Sequence, residues 1–180
     1  MSKHDLFGLV LIGGKSSRMG ADKSLISYHD VTQRDHAFHL LEKHCEKVFL
    51  SCNPAQKTDI NLPYIEDQLC EGPLTGIIAA HEAFPDVSWL VIACDMPYLD
   101  DQLLNQLISM RVTHKAATCF KKSLIEPLCA IWENSCFSDL TAYYKSGQKS
   151  PKTFLDTRDV KVIELSDDEG EKLRNINSSN

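Results

Sequence analysis

The sequence predicts an α/β fold in which a mostly parallel β-sheet is covered by helices on both faces. Three short apolar runs carry this prediction, at residues 6–12, 48–52 and 89–93. Strands that are apolar along their whole length are typical of parallel sheets buried on both faces. Amphipathic segments separate these runs, and such alternation is typical of α/β folds. With 180 residues and no break in composition, we expect one domain over residues 1–180.

The first half of the chain gives the clearest elements. Strands are predicted at residues 6–12, 48–52, 62–65 and 89–93. Helices are predicted at residues 33–43, at 77–84 and after residue 100. Thr32 and Asp100 are suited to cap the first and third of these helices, because their side chains can accept hydrogen bonds from helix N–H groups.

The second half is less regular. Residues 116–120, 128–132 and 160–165 have strand character, and residues 136–144 and 151–156 have helical character. The acidic run at residues 167–169 is interpreted as a solvated face.

Composition limits the class of protein. A net charge of −6 argues against a nucleic-acid-binding surface, which is normally basic. No run of 18 apolar residues occurs, so we expect no membrane span. The first residues lack the apolar core of a signal peptide, which predicts a cytoplasmic protein. The seven cysteines are odd in number and form no CxxC pair, so we expect reduced thiols rather than disulfides or a zinc site.

The segment that follows the first strand has the composition of a phosphate-binding loop. Gly13 and Gly14 come directly after the strand, and Arg18 and Lys23 follow. Glycine allows close approach of the backbone to a ligand, and successive N–H groups can form an anion-binding concavity. The spacing excludes both GxxxxGK[ST] and GxGxxG. The alternative is a basic surface turn without a ligand.

Polar residues follow three further predicted strands. Asn53 and Asp67 follow the second and third strands, and Asp95 follows the most hydrophobic one. Ligands of open α/β sheets lie beyond the carboxyl ends of the strands. We therefore expect the first loop and these three residues to share one crevice.

Asp95 is the strongest candidate for a metal ligand. A carboxylate at this edge can hold Mg²⁺, which uses one or two protein carboxylates and takes its other ligands from phosphates and water. The alternative is a turn-forming aspartate. No nucleophile–base motif is evident. Phosphoryl or nucleotidyl transfer, which depends on positioning and charge stabilisation, fits these residues better.

Several motifs together resemble one known family. Residues 11–23, with Gly13, Gly14, Arg18 and Lys23, resemble the LxGGxSxRMGxDK signature of molybdenum cofactor guanylyltransferases. Asp67 and the segments at residues 72–76 and 94–97 are similar to the later motifs of that family. Residues 126–128 and 174–177 are similar to its C-terminal motifs.

The resemblance implies a Rossmann-like fold of the nucleotide-diphospho-sugar transferase type. It also implies Mg²⁺-dependent transfer of GMP from GTP to molybdenum-molybdopterin, with release of pyrophosphate. Cofactor-insertion proteins or molybdoenzyme chaperones would be further partners. The catalytic residues carried over are Arg18, Lys23 and Asp95. The nucleotide-binding residues carried over are Leu11, Gly13, Gly14, Lys23, Asn53, Asp67 and Asp95. Asp95 would hold the metal, and Asn175 and Asn177 would shape the pterin side.

Three departures from the family pattern are present. Ile12 replaces an alanine, Glu126 stands where histidine often precedes proline, and the tail lacks the usual TPEDL sequence. The alternatives are a cytidylyltransferase for the same cofactor, another small nucleotidyltransferase, or a nucleotide-binding module without turnover. Gly13 favours GTP, because the cytidylyl relatives tend to carry LAAG at this point. We expect a preference for GTP over CTP of at least about tenfold.

Overall fold

The computed structural model describes residues 5–12, 31–57 and 60–175. Within these ranges seven strands form one mixed sheet with the order β3-β2-β1-β4-β6-β5-β7. β6 is antiparallel to both of its neighbours, whereas the other pairings are parallel. The strands are β1 (Leu6–Leu11), β2 (Val48–Cys52), β3 (Tyr64–Glu66), β4 (Ser88–Ala93), β5 (Ala117–Lys121), β6 (Ile125–Trp132) and β7 (Val160–Glu164).

Over the described ranges, six α-helices lie between and after the strands. They are α1 (Gln33–Glu42), α2 (Pro73–Ala83), α3 (Asp101–Ser109), α4 (Phe137–Lys145), α5 (Pro151–Asp156) and α6 (Asp167–Lys172). The predicted caps are confirmed, since the Thr32 side chain accepts a hydrogen bond from the Asp35 N–H and Asp100 accepts one from the Leu103 N–H. The predicted mostly parallel α/β architecture is confirmed as well.

Helix α2 begins four residues before the predicted start. Gly72 has a φ of 122° and precedes the helix, and proline occupies its first turn. The glycine adopts a backbone conformation that other residues rarely take, and proline is well tolerated in a first helical turn. The Gly-Pro pair therefore starts the helix here instead of forming a separate loop.

One more prediction needs correction. β6 begins at Ile125, three residues before the predicted start, and so includes Glu126 and Pro127. The acidic run at residues 167–169 is solvated as predicted, and it forms the first turn of α6, a helix that was not predicted. Ser166 and Glu169 form a reciprocal capping box there, and acidic side chains in a first turn interact favourably with the helix dipole.

The sheet separates two hydrophobic clusters. On one face the strands pack with residues of α1 and α3, including Leu41 and Leu104. On the other face they pack with residues of α2, α4 and α5, including Ile77 and Leu140. β4 is buried along its whole length. In the described part of the chain, no helix has the length and apolarity needed to cross a membrane.

A buried ion pair closes the amino edge of the parallel strands. The Arg111 guanidinium donates two hydrogen bonds of 2.7 Å to the Glu133 carboxylate. The Ser88 hydroxyl donates to the same carboxylate at 2.8 Å. Arg111 also contacts exposed Asp5. These contacts join the starts of β1 and β4 to the end of β6 and to the segment after α3.

Candidate active site

The carboxyl ends of four adjacent strands bring the predicted site residues together. Leu11, the last residue of β1, pairs with Ser51 of β2 and with Ala93 of β4. The Leu11 carbonyl accepts a hydrogen bond of 3.1 Å from the Cys94 N–H. The Asp67 N–H donates to the Cys52 carbonyl at 2.8 Å. Leu11, Asn53, Asp67 and Asp95 therefore lie at one edge of the sheet.

Asp67 is buried, and hydrogen bonds from its own loop occupy its carboxylate. Oδ1 accepts from the N–H groups of Leu69 and Cys70, at 3.0 and 3.1 Å. Oδ2 accepts from the Thr75 hydroxyl at 2.6 Å. The side chain thus fixes the path of the loop between β3 and α2.

Asn53 has a similar local role in the turn after β2. Its Oδ1 accepts from the N–H groups of Ala55 and Gln56, at 2.9 and 3.0 Å. The buried Gln56 side chain accepts from the Asn53 N–H at 3.1 Å and donates to the Ile12 carbonyl at 3.4 Å. Gln56 therefore joins the ends of β1 and β2. Because the Asn53 side chain holds the turn that carries Gln56, Asn53 helps to fix this edge of the sheet.

Close packing places the first turns of α2 against these strand ends. A Cβ atom at Gly76 would collide with the Ser51 side chain and would lie 3.1 Å from Leu11 Cδ2. Only glycine allows the helix to approach β1 and β2 this closely. The approach also brings Thr75 within reach of Asp67.

The loop before α2 contains the one exposed cysteine of the chain. All seven cysteines are free thiols and six of them are buried, whereas Cys70 is exposed. Cys70 has a φ of 52°, in the left-handed region that non-glycine residues seldom adopt. Its N–H bond to Asp67 helps to hold this conformation.

Asp95 and Glu126 place two carboxylates beside each other. Asp95 is half-buried and lies just after β4. The antiparallel strand β6 pairs Cys129 with Ile92, so its first residues run beside the segment that follows β4. Burial raises the pKa of the Glu126 carboxyl, and the nearby charge of Asp95 raises it further. The Leu128 N–H donates to Glu126 Oε1 at 2.9 Å and partly offsets these effects.

This pair suits a hard divalent cation. Mg²⁺ prefers oxygen ligands and uses one or two protein carboxylates, with substrate phosphates and water completing its shell. The described residues contain no group of three or more His, Cys, Asp or Glu side chains that could hold a metal by themselves. The donor set therefore fits a cation that shares its ligands with a bound phosphate.

A cavity of about 660 Å³ lies next to this edge, between α1 and the segment that follows Asp95. Its apolar lining includes Leu40, Pro97 and Tyr98. Lys172 and Arg174 line it on the side of α6. Lys172 donates to Asp100 at 2.6 Å, which ties α6 to the cap of α3.

Asn175 directly follows this lining and is exposed. The other predicted site residues, Gly13, Gly14, Arg18, Lys23 and Asn177, lie outside the described residues.

Three residues contribute more to the site than their sequence signals indicated. In the sequence Glu126 stands out only as a departure from a family pattern, and Thr75 only as part of a glycine-containing motif. Gln56 stood in a polar segment without a pattern. A carboxylate just before Pro127, in a strand next to β4, is the signal that could have identified Glu126.

Comparison with known proteins identifies close similarities. A family model described as the MobA-like NTP transferase domain matches residues 8–162. A molybdenum cofactor biosynthesis bifunctional protein of Synechocystis is 36% identical over 185 residues, which cover 99% of this chain and 53% of that protein. A probable molybdenum cofactor guanylyltransferase of Clostridium perfringens is 32% identical over 129 residues, 71% of this chain and 65% of that protein. The chain thus spans about half the length of the first relative, and the match covers 65% of the second. A molybdenum cofactor guanylyltransferase of Pseudomonas entomophila is 29% identical, with coverage of 94% and 92%.

Solved structures share the fold. Molybdopterin-guanine dinucleotide biosynthesis protein A from Archaeoglobus fulgidus superimposes with a TM-score of 0.76 at 23% identity, covering 96% of this chain and 92% of the other. The 4-diphosphocytidyl-2C-methyl-D-erythritol synthase of Anaerococcus prevotii gives 0.73 at 12% identity, with coverage of 97% and 91%. These similarities confirm the Rossmann-like nucleotidyltransferase fold.

Proposed function

The chain belongs to the MobA-like NTP transferase domain family, and we propose that it transfers GMP from GTP to molybdenum-molybdopterin with release of pyrophosphate. The observation that carries this proposal is the meeting of Leu11, Asn53, Asp67 and Asp95 at the carboxyl ends of adjacent strands. This is the edge at which open α/β sheets bind their ligands. The names of the curated relatives support the choice of substrates.

The nucleotide lies across the ends of β1, β2 and β3 in this proposal. Asn53 and Asp67 define its walls, because their side chains fix the turn after β2 and the loop after β3. Gly13 and Gly14 form the phosphate cradle, and Arg18 and Lys23 stabilise the charge that develops on the phosphates. The acceptor phosphate attacks the α-phosphorus of GTP, the bond to the β-phosphate breaks, and pyrophosphate leaves.

Asp95 would hold Mg²⁺, and Glu126, on the strand that runs beside the Asp95 segment, would add a second negative charge there. When bound, the cation neutralises charge on the phosphate oxygens. The nucleotide walls and the Asp95 segment belong to one hydrogen-bonded sheet edge, which fixes their positions relative to each other.

We propose that the acceptor, molybdenum-molybdopterin, binds in the cavity that Pro97 and Tyr98 line. Its volume of about 660 Å³ lies within the range of small-molecule sites. An aromatic side chain suits a bicyclic ring. Lys172 and Arg174 pair with Asp100 and Glu171 of the same lining, so a phosphate on the ring would have to compete with these partners. Asn175 follows Arg174 on this side, and Asn175 and Asn177 are proposed to contact the pterin. Cofactor-insertion proteins or molybdoenzyme chaperones are the proposed recipients of the product.

Pyrophosphate release with each of the four nucleoside triphosphates, with and without molybdenum-molybdopterin, tests the proposal. We expect release with GTP and Mg²⁺ only when the pterin is present. Asp95→Asn should lower the rate by orders of magnitude and retain the fold, whereas Asp86→Asn, an exposed carboxylate before β4, is the matched control. A preference for CTP, or no release with any triphosphate, would overturn the proposed reaction.

A further inference from the structure

Recognition of guanine requires hydrogen-bond acceptors that the two predicted nucleotide walls do not readily supply. Guanine presents its N1–H and its 2-amino group as donors. The Asp67 carboxylate already accepts three hydrogen bonds from its own loop and from α2. Asn53 Oδ1 already accepts two from its own turn. Asp67 can accept about one more hydrogen bond and Asn53 Oδ1 can accept none, so these side chains cannot accept from both guanine donors and a further acceptor is needed.

Glu71 offers a carboxylate that is fixed in position and ionised. The Tyr144 hydroxyl donates to its Oε2 at 2.6 Å, and Lys149 Nζ lies 2.9 Å from the same oxygen. These two hydrogen bonds lower the pKa of the Glu71 carboxyl. The side chain retains 41% of its exposure. Both contacts end on Oε2, and no described residue donates a hydrogen bond to Oε1, which leaves that oxygen able to accept from a ligand.

The fold places this carboxylate at the ligand edge of the sheet. Glu71 lies four residues after Asp67 and directly before Gly72, where α2 begins at the carboxyl ends of the strands. β6 is antiparallel and ends at the opposite edge, so α4 returns from that edge and carries Tyr144 to the ligand side near its end. The Tyr144 hydroxyl contacts Glu71 there and so links the end of α4 to the loop before α2.

We infer that Glu71 is the specificity-determining residue for the base, accepting hydrogen bonds from the N1–H and 2-amino groups of a guanine nucleotide. Tyr144 and Lys149 are positioning residues that hold its carboxylate from the far side. The inference rests on the proposed function. It extends that function by naming the residue that recognises the base, which the transfer reaction itself does not specify. A carboxylate can accept from both donors at once, whereas cytosine and adenine present no such pair of donors.

Equilibrium binding of GTP and ITP in the presence of Mg²⁺ separates recognition from loop anchoring. ITP retains N1–H but lacks the 2-amino group. We expect the native chain to bind GTP at least about tenfold more tightly than ITP, since a site that hydrogen-bonds a donor discriminates against the analogue that lacks it. Glu71→Gln should weaken GTP binding more than ITP binding and bring the GTP/ITP ratio near one. Glu82→Gln, an exposed carboxylate in the last turn of α2, is the matched control and should leave the ratio unchanged.

The positioning residues give a different result. Tyr144→Phe and Lys149→Met should each weaken GTP binding several-fold. They should change the GTP/ITP affinity ratio less than Glu71→Gln does. Circular dichroism and the midpoint of thermal unfolding establish that each variant folds. Equal weakening of GTP and ITP in Glu71→Gln would show that Glu71 only anchors the loop, and unchanged binding would exclude any role, so either result overturns the inference. A native chain that prefers CTP would instead overturn the proposed function itself, before any variant is compared.

Discussion

The Thr75 hydroxyl donates a hydrogen bond of 2.6 Å to Oδ2 of Asp67, and both side chains are buried. Thr75 lies in the first turn of α2 and Asp67 directly follows β3. The bond therefore ties the helix to the end of the strand across the loop that carries Glu71. It makes the position of the proposed nucleotide wall dependent on one hydroxyl group.

Thr75→Val should weaken both the fold and nucleotide binding. Valine has nearly the same shape, but it leaves a buried carboxylate oxygen without its donor, which costs about 1–3 kcal/mol. Urea unfolding should show the loss of stability, and equilibrium binding should show weaker GTP affinity. Thr75→Ser retains the hydroxyl and is the control. Equal GTP affinity in the valine and serine variants would contradict a role of this bond in the site.

Glu126→Gln should weaken divalent-cation binding at the edge that carries Asp95. The substitution retains the shape of the side chain and removes one of two negative charges directed to the same region. Electron paramagnetic resonance of Mn²⁺ with the protein and a saturating, unreactive GTP analogue should show a several-fold higher dissociation constant, because oxygen ligand charge tunes affinity for hard cations. Glu164→Gln, on the exposed edge of β7, is the control. An unchanged Mn²⁺ constant would place Glu126 outside the cation site.

Arg111→Met should destabilise the protein while the intrinsic activity of the folded protein is retained. The Arg111 and Glu133 side chains are 4% and 3% exposed, and removing one partner of a buried pair costs about 3–5 kcal/mol. Their pair lies at the amino edge of the sheet, opposite the proposed site. Lys115→Met breaks a pair with the exposed Asp159 and should cost less than about 1 kcal/mol. The comparison uses urea unfolding, with pyrophosphate release measured at a temperature where both variants are folded. A loss of intrinsic activity in Arg111→Met would contradict this separation.

His81 should make stability depend on pH in the mildly acidic range. Its ring stacks on Phe137 with centroids 4.1 Å apart, and burial lowers its pKa below the ordinary 6.5. The unfolded chain therefore binds the proton more readily than the folded one. The stability that the neutral, buried His81 ring contributes is complete above about pH 6.5 and is lost as pH falls through the lowered pKa. The free energy of unfolding at about pH 7.5 and about pH 5.5 should differ less in His81→Phe, which retains the stacking and cannot be protonated. An equal difference in both proteins would contradict the assignment to His81.

Much of the fold could be predicted because local patterns and tertiary packing agree. β2, β4 and α5 follow from apolar runs and capping residues and match the structure within one residue. The first turn of α2 could not be located because Gly72 and Pro73 are also typical of loops. The start of β6 is hard to locate from sequence because proline is uncommon inside a strand, and Pro127 lies in a segment where the pairing with β5 shifts register.

The position of the site was easier to predict than the chemistry of its side chains. Parallel strands dictate that residues after β1, β2, β3 and β4 meet at one edge, and the structure confirms this for Asn53 and Asp67. The path of each loop determines which side-chain oxygen atoms can still accept a hydrogen bond from a ligand. That path is fixed by contacts such as Thr75 with Asp67 and Tyr144 with Glu71, whose partners are 8 and 73 residues apart. No short-range pattern encodes them.

Because Cys70 is exposed, the native chain can be labelled with a fluorescent dye beside the proposed nucleotide site. Burial raises the pKa of Cys119 and of Cys136 to about 12 and that of Cys52 to about 11, so these thiols are protected both by packing and by protonation. A maleimide dye should therefore couple first at Cys70, without removal of any other cysteine. The dye would then be attached one residue before Glu71 and three residues after Asp67. Its emission should change when a nucleotide binds beside this loop.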